Sequence, residues 1–299
     1  MNLLKNKIKA WIIELRAPFL TVTILPIILG ALIAKLDIGM INFLLLALAL
    51  LGAVFIHLGT NIINDYFDYI NGTDNTNKEF IRPFSGGSRT IQNKLLSKNE
   101  VLTGAIIFFI LGSAIGLYLA FKIGIFVLYL GVFGILSAIL YSAFLSSYFI
   151  GEALVGFNFG IIMALGSYYV QTKTFSWEVV FVSLPLALLT SLILWINEFP
   201  DYKADKKSEK KTFVVRLGRK KSSVVYMLIL LFTYFYIIIL SIWKNISLLL
   251  FSLITIPLAV ISIIKALQYY NEPKKMFASY PLTIILHLAI GLVFVLAYL

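Results

Sequence analysis

The sequence contains no cysteine and few charged residues. None of its 299 residues is cysteine, and Asp, Glu, Lys and Arg together make up 13% of the chain. The absence of cysteine excludes disulfide bonds, thiolate metal sites and covalent haem attachment. Soluble globular domains carry about 25% charged residues. The low charge, together with 60% hydrophobic residues, therefore excludes an ordinary water-soluble protein and indicates one that resides in a membrane.

Long apolar runs recur along the whole chain. A transmembrane helix needs about 20 apolar residues, and by this criterion we predict nine spans. Their approximate ranges are 18–36, 41–63, 101–121, 123–145, 151–170, 179–199, 224–243, 246–264 and 279–298. The sequence therefore predicts an all-α, polytopic integral membrane protein, with residues 1–299 forming a single transmembrane domain in the lipid bilayer.

Basic residues are distributed unevenly among the connections. The net charge of +11 would suggest nucleic-acid binding in a soluble protein. Here, however, 21 of the 25 Lys and Arg precede the first span or lie in 71–100, 200–222 and 265–275. This alternation follows the positive-inside rule and places the N-terminus in the cytoplasm and the C-terminus outside. We therefore expect no nucleic-acid partner, and we expect these basic connections to be cytoplasmic.

Two acidic clusters follow apolar runs and repeat one order of residue types. Asn64 and Asp68 lie four residues apart after the second predicted span. Asn197, Asp201 and Asp205 repeat this spacing at the end of the sixth. Residues four apart share one helix face. The two asparagines are 133 residues apart, which predicts two related helical halves that meet around a central cavity.

The residue types of these clusters indicate a chemistry. Carboxylates at the end of a membrane helix are unfavourable and are usually kept for function. Mg²⁺ accepts carboxylate and amide oxygens and often binds substrate phosphates as well. Two facing clusters therefore predict divalent cations that hold a polyanion, in particular a diphosphate. The alternative is that these acids are interfacial charges paired with the abundant lysines, but that alternative does not explain the repeated order.

The two motifs resemble those of the UbiA superfamily of intramembrane aromatic prenyltransferases. That family carries Asn-x3-Asp after its second helix, matched by Asn64 and Asp68, and Asp-x3-Asp after its sixth, matched by Asp201 and Asp205. The resemblance covers essentially the whole chain and implies nine helices around a central cavity. It also implies an Mg-dependent enzyme in which these four residues bind two Mg²⁺ ions and, through them, a polyprenyl diphosphate. An electron-rich aromatic acceptor then attacks the allylic cation.

Further candidate residues lie in the cytoplasmic loops 71–100 and 200–222, which we expect to cap the site. Members of the family often have a metal-binding Asp where this chain has Gly72. In this chain either Asp74 takes over as that metal ligand or the ligand is missing. Asp65 is another candidate metal ligand. Basic loop residues can contact phosphate oxygens, and aromatic faces can stabilise a cation. The candidate substrate-binding residues are Arg82, Arg89, Lys210, Lys211, Asn197, Tyr141 and Tyr168.

Finer features resemble the branch that prenylates 1,4-dihydroxy-2-naphthoate in menaquinone synthesis. These are the Gly-x-Asp sequence at 72–74, the Gly-Gly-Ser-Arg sequence at 86–89 and the segment 166–172. The resemblance implies this acceptor and a prokaryotic cytoplasmic membrane. A sister enzyme acting on 4-hydroxybenzoate or an archaeal glycerol lipid is an alternative, although those branches usually show Asn-Arg-Pro-x-Pro where this chain has 81–85. A cation or anion transporter is the alternative from another class.

Overall fold

The computed structural model describes residues 2–143 and 151–299, and every regular element in these ranges is helical. The helices are α1 (Asn2–Glu14), α2 (Thr21–Ile38), α3 (Phe43–Ile70), α4 (Thr73–Thr76), α5 (Lys98–Ile123), α6 (Phe126–Ala143), α7 (Gly151–Gly156), α8 (Met163–Thr172), α9 (Trp177–Lys207), α10 (Phe213–Leu217), α11 (Arg219–Lys244), α12 (Ile256–Tyr269) and α13 (Ser279–Ala297). Tight 3-10 segments precede α2 and α12, and the π-helical turns Phe157–Ile162 join α7 to α8. The predicted all-α fold is confirmed.

The long helices agree with the predicted spans. Eight helical segments in the described ranges are long and apolar enough to cross a membrane. The remaining predicted span, 123–145, corresponds to the shorter apolar helix α6. The main difference is at two ends, because α3 continues past residue 63 to Ile70 and α9 continues past residue 199 to Lys207. Hydropathy marks where a helix leaves the apolar layer, whereas the helix itself can extend into the polar region beyond it.

The burial pattern is that of a protein surrounded by lipid. Large apolar side chains on the outer helices are exposed, for example Phe43 at 76%, Phe121 at 92% and Ile242 at 75%. Such a surface would drive aggregation in water but suits a hydrocarbon environment. In contrast, α9 is largely enclosed by α2, α7, α11 and α13. The chain is thus an integral membrane protein with α9 at its centre.

Contacts between the segments that connect the helices identify the two ends of the bundle. At one end, Lys35 donates a hydrogen bond to the backbone oxygen of Leu299 at 2.9 Å. At the same end, the backbone N–H of Asn42 donates to Gln171 at 2.9 Å. We call this the far end. It gathers the connections after the first and fifth predicted spans together with Leu299.

The opposite end, which we call the loop end, holds the two long basic connections. The Thr73 hydroxyl donates to the Ser208 hydroxyl at 3.1 Å and so joins the connection before α5 to the one after α9. Arg219, at the start of α11, donates to Glu79 at 2.7 Å and to the backbone oxygen of Phe199 at 2.7 Å. These bonds fix both connections over the ends of α3 and α9.

Candidate active site

The two motifs face one cavity at the loop end. The end of α3 contributes Asn64 and Asp68, and the end of α9 contributes Asn197, Asp201 and Asp205. All five side chains line a cavity of about 200 Å³. The four-residue spacing within each motif places its members on the same helix face, as the sequence predicts. The extensions of α3 and α9 beyond the apolar layer bring these faces together.

Lys210 supplies the positive charge within this group of acids. Its ammonium group forms an ion pair with Asp68, and only 10% of its side chain is exposed. Burial alone would lower the pKa of Lys210, but the carboxylates of Asp68 and Asp205 outweigh burial and raise its pKa. Lys210 therefore remains charged at neutral pH. It is the one basic residue among the sequence candidates that the structure places in the cavity.

Asp201 is held by the loop before α5. One carboxylate oxygen accepts a hydrogen bond from the Asn77 side-chain amide at 2.6 Å. The other accepts from the backbone N–H of Gly86 at 3.3 Å. Asn77 is not among the sequence candidates, because it stands apart from both motifs and no spacing distinguishes it. The contact shows that this loop positions an acidic side chain of the second motif directly.

Asp74 lies in the same cavity and is held in a neutral form. Burial, and after it the nearby carboxylates of Asp68, Asp65 and Asp201, together raise the pKa of Asp74 to about 8. Its side chain accepts a hydrogen bond from Gln92 at 3.0 Å. At neutral pH the carboxyl group is therefore mostly protonated. A cation that entered the cavity would favour its ionised form.

Asp65 belongs to a second polar network beneath the loop. Its carboxylate pairs with Arg16 and accepts the backbone N–H of Ser88 at 2.7 Å. The buried Glu14 accepts the hydroxyls of Ser88 and Thr90, each at 2.5 Å. The junction of α1 and α2 thus anchors the loop. This placement gives Asp65 a role in holding the loop, in contrast to the cavity-lining position of Asp74.

Two glycines allow the loop to approach the acids. Gly86 and Gly87 have φ values of 72° and 69°, in the left-handed region that favours glycine. A Cβ atom on Gly87 would lie 2.6 Å from a carboxylate oxygen of Asp74. A Cβ atom on Gly86 would lie 2.4 Å from the Cβ atom of Phe80. Both the backbone conformation and the close contacts therefore require glycine at these positions.

The other basic candidates brace the loop or face water. Arg82 donates to the backbone oxygen of Ser88 at 2.9 Å. Arg89 donates to the backbone oxygen of Asp74 at 3.1 Å, and its guanidinium lies 4.2 Å from the centre of the Phe80 ring. Lys211 is exposed. Charge alone did not distinguish these residues from Lys210, because their different roles depend on the folded path of the loop.

The two aromatic candidates have different outcomes. The hydroxyl of Tyr168 donates to Asp37 at 2.6 Å, which places it at the far end of the bundle rather than in the cavity. The side chain of Tyr141 lies outside the residues whose side chains the structure describes. The cavity instead contains Arg16, His57 and Phe159, with the His57 and Phe159 ring centres 4.5 Å apart. Periodicity does not single out these three residues from other helix positions.

The cavity residues suit Mg²⁺ by chemical type. Asp and Asn side chains offer the oxygen ligands that Mg²⁺ prefers, and the buried Oδ1 atom of Asn197 has no hydrogen-bond partner in the described structure. In the described ranges, no three acidic or histidine side chains are already gathered around one point. The ion pair between Lys210 and Asp68 instead provides the local charge balance.

An apolar cavity of about 170 Å³ adjoins this polar one. It lies among α3, α5, α6 and the segment from α7 to α8. Both cavities are lined by Thr60, Val155 and Phe159, so these residues mark where they meet. The described site therefore combines an acidic polar chamber at the loop end with an apolar chamber within the helix bundle.

Comparisons with known proteins agree with this arrangement. Residues 23–290 match the model of the UbiA prenyltransferase family. The zebrafish (Danio rerio) UbiA prenyltransferase domain-containing protein 1 is 26% identical over 86% of this chain and 75% of its own. The 1,4-dihydroxy-2-naphthoate octaprenyltransferase of Mycobacterium leprae is 31% identical, and the match spans only 62% of each chain.

A solved structure has the same fold. The UbiA homologue from Archaeoglobus fulgidus bound to DMAPP and Mg²⁺ has a TM-score of 0.61 against this chain. It is 15% identical, and the match covers 95% of this chain and 98% of the homologue. At this identity the likeness establishes the fold, and the paired motifs in one cavity carry the chemical argument.

Proposed function

The chain belongs to the UbiA prenyltransferase family, and from this membership we propose that it transfers a polyprenyl group from polyprenyl diphosphate to 1,4-dihydroxy-2-naphthoate. The observation that carries the proposal is the pair of adjoining cavities. The polar one presents Asn64, Asp68, Asp201 and Asp205, and the apolar one can accept an isoprenoid chain. This combination matches a substrate with a charged head and an apolar tail better than it matches a solute carried across the membrane.

In this proposal the diphosphate binds in the polar cavity. Asn64, Asp68, Asp201 and Asp205 would hold one or two Mg²⁺ ions, which would neutralise the diphosphate charge. Lys210 and Arg16 line the same cavity and can contact diphosphate oxygens directly. Positive groups fixed in advance stabilise the charge that develops on the leaving oxygen as the allylic C–O bond breaks. The loop covering the cavity limits the access of water to the resulting cation.

The acceptor assignment is supported by both the loop sequence and the relatives. The Gly-Gly-Ser-Arg sequence at 86–89 forms the loop over the cavity, with Gly86 and Gly87 among its lining residues. A relative that is 31% identical is named as a 1,4-dihydroxy-2-naphthoate octaprenyltransferase. The segment 166–172 lies on α8 towards the far end, so its resemblance to the same branch does not bear on the acceptor through this cavity.

We expect the purified protein in proteoliposomes to convert 1,4-dihydroxy-2-naphthoate and a polyprenyl diphosphate into a prenylated product that lacks the carboxyl group. The electron-rich ring attacks the allylic carbon, and loss of CO₂ restores aromaticity. Mass spectrometry of the products identifies this reaction. Parallel reactions with 4-hydroxybenzoate and an archaeal glycerol lipid complete the panel. Transfer to either of these, with no naphthoate product, would contradict the assignment of 1,4-dihydroxy-2-naphthoate as the acceptor. The assignment of the protein as a prenyltransferase would still stand.

We further propose that the loop end faces the cytoplasm of a prokaryotic cell. In this arrangement residues 1–299 form one domain, loops 71–100 and 200–222 cap the site, and the C-terminus lies outside. The proposal is supported by the basic residues concentrated at the loop end, as the positive-inside rule requires. The contacts that bring alternate connections together at opposite ends of the bundle are consistent with the same arrangement.

The orientation can be tested with single cysteines, since the natural sequence has none. Asn93→Cys and Lys206→Cys lie at exposed positions of the loop end, and Met40→Cys lies at an exposed position of the far end. We expect a membrane-impermeant maleimide to label Met40→Cys in intact cells. The other two should react only after the membrane is opened. Labelling of Asn93→Cys in intact cells would overturn the proposed orientation.

A further inference from the structure

A histidine on α3 lies at the inner end of the polar cavity. The side chain of His57 is 4% exposed, and it lines the cavity together with Asn64 and Asp68 of the same helix. His57 precedes Asp68 by 11 residues, which at 1.5 Å per residue is about 16 Å along the helix axis. The ring of Phe159, which lines both cavities, lies 4.5 Å from the His57 ring. His57 therefore lies deeper in the bundle than the motif carboxylates, where the two cavities adjoin.

Thr23 fixes the position of the proton on the imidazole ring. The Thr23 hydroxyl on α2 and the Nδ1 atom of His57 are hydrogen-bonded at 2.7 Å. Thr23 is fully buried, and its hydroxyl has no second partner among the described residues. If the hydroxyl donates to Nδ1, both groups are satisfied, whereas the reverse direction leaves the hydroxyl proton without an acceptor. The ring of His57 therefore carries its proton on Nε2.

The Nε2–H group of His57 is available to a ligand. In the part of the chain that the structure describes, Nε2 has no hydrogen-bond partner. It differs from the ring nitrogens of His287, which are unpartnered and completely enclosed by protein. No acidic side chain in the described ranges forms an ion pair with His57, so the ring is uncharged at this depth. Because His57 lines the cavity, it presents an unused, uncharged donor there.

Two hydroxyl groups that line the same cavity have already donated their protons. The hydroxyl of Thr60 donates to the backbone oxygen of Ile56 at 2.8 Å, and that of Thr190 donates to the backbone oxygen of Leu186 at 2.8 Å. Their oxygens can still accept hydrogen bonds. The cavity therefore offers a donor from His57 and acceptors from the threonines. A hydroxyl group on a ligand suits this combination, because it both accepts and donates.

We propose that His57 selects the aromatic acceptor by donating a hydrogen bond from Nε2–H to one of its ring hydroxyl groups. This inference rests on the proposed prenyl transfer and concerns how the acceptor is bound. The allylic carbon is attached to the diphosphate held at the motifs, so the ring that attacks it lies on the inner side of the diphosphate, towards His57. A few fixed polar groups in a largely apolar pocket set the orientation of a ligand, and Phe159 provides an apolar face beside the ring.

The uncharged donor also distinguishes between the polar groups of the acceptor. A carboxylate at the inner end of the cavity would lose its hydration without gaining a cation, which is costly. The basic side chains of Arg16 and Lys210 line the same cavity and attract a carboxylate. The acceptor carboxylate therefore points towards these residues, and a ring hydroxyl points towards His57.

The test compares His57→Leu with the wild-type protein in proteoliposomes. The substitution keeps an apolar side chain at this position but removes the donor. We expect KM for 1,4-dihydroxy-2-naphthoate to rise about tenfold, the usual effect of losing one hydrogen bond, while KM for the polyprenyl diphosphate changes by less than about twofold. His57→Gln places an amide N–H near the position of Nε2 and should recover most of the loss.

Acceptor analogues separate a direct contact from a structural effect. 1-Hydroxy-2-naphthoate and 4-hydroxy-2-naphthoate each lack one hydroxyl of the proposed acceptor. Their Kd values are measured by displacement of labelled acceptor, with a non-hydrolysable diphosphate analogue and Mg²⁺ present. In the wild-type protein, loss of the hydroxyl that His57 contacts should weaken binding about tenfold. In His57→Leu the same loss should weaken binding by less than about twofold, because both changes remove one interaction.

The matched control is His287→Leu, the same change at the other histidine of the chain. His287 on α13 is fully buried and lines neither cavity. The control should therefore keep the wild-type KM values and the discrimination between analogues. Thermal unfolding shows whether each variant is folded. If His57→Leu does not fold, Thr23→Val carries the same test, because the ring then loses the bond that keeps its proton on Nε2.

Three results would overturn the assignment of His57. They are an unchanged acceptor KM in the folded variant, an equal loss of affinity for all three naphthoates, and a parallel rise in KM for the polyprenyl diphosphate. If the wild-type protein transfers a prenyl group, these results leave the proposed function in place. A wild-type protein that transfers no prenyl group overturns the proposed function as well.

Discussion

Asp68→Asn and Asp201→Asn are each expected to lower prenyl transfer by about 10²–10³-fold, the loss that follows removal of one charge-stabilising group from a preorganised site. Each change removes a negative charge while keeping the size of the side chain. In Asp68→Asn, Lys210 loses its ion-pair partner. In Asp201→Asn, the loop loses a charged acceptor for Asn77 and Gly86. Turnover is measured in proteoliposomes with labelled polyprenyl diphosphate.

The control for these variants is Asp37→Asn at the far end, where Asp37 accepts a hydrogen bond from Tyr168. It should retain nearly full activity, because its position is remote from the cavity. Thermal unfolding in detergent shows whether each variant is folded. Chelation of divalent cations with EDTA should abolish the activity of the wild-type protein, and added Mg²⁺ should restore that activity. Near-normal turnover by either folded motif variant would contradict the assignment of that motif to the diphosphate site.

Arg16→Met is expected to destabilise the protein by about 3–5 kcal/mol, the usual result of breaking a buried ion pair from one side. Arg16 pairs with Asp65, whose side chain is 3% exposed, so the change leaves a buried carboxylate without its cation. This is a large part of the roughly 5–15 kcal/mol by which proteins are stable. The midpoint of thermal unfolding in detergent reports the loss, and anchoring of the loop by Ser88 should weaken with it.

The double variant Arg16→Met/Asp65→Asn should recover part of the stability, because the second change removes the uncompensated charge. Lys7→Met is the matched control on α1. Lys7 also forms an ion pair, with Glu100, but both side chains are exposed, and exposed pairs contribute little. If the double variant unfolded as easily as Arg16→Met, the ion pair would not be the source of the stability.

The sequence was sufficient to predict the helices and the faces that carry the motifs. An apolar run of about 20 residues identifies a membrane span from its own composition, without knowledge of the helices that pack against it. The spacing of Asn64 and Asp68, like that of Asp201 and Asp205, places each pair on one helix face because of the helical period. The shared helix face of each motif already requires α3 and α9 to continue through the motifs, but the exact ends of the two helices were less predictable. Hydropathy falls at residues 63 and 199, but both helices continue into the polar region.

The partners of these acids could not be predicted, because they come from distant parts of the chain. Lys210 reaches Asp68 across 142 positions, and Asn77 reaches Asp201 across 124. Local periodicity carries no information on such pairings. Positive charge marked Arg89 as well as Lys210 as a phosphate ligand, but the folded loop turns Arg89 onto Phe80. Which basic residue enters the cavity is decided by tertiary structure.

The wall shared by the two cavities sets the outline of a selective inhibitor. Thr60, Val155 and Phe159 line both chambers, so under the proposed function we expect a single compound with a charged head and an apolar tail to reach both. Its head would be a non-hydrolysable bisphosphonate, placed among the acids and Lys210. Its tail would be an unbranched or isoprenoid chain that bends past Phe159. Shortening the tail should weaken inhibition without affecting metal dependence, so potency across a series of tail lengths would measure the depth of the apolar chamber.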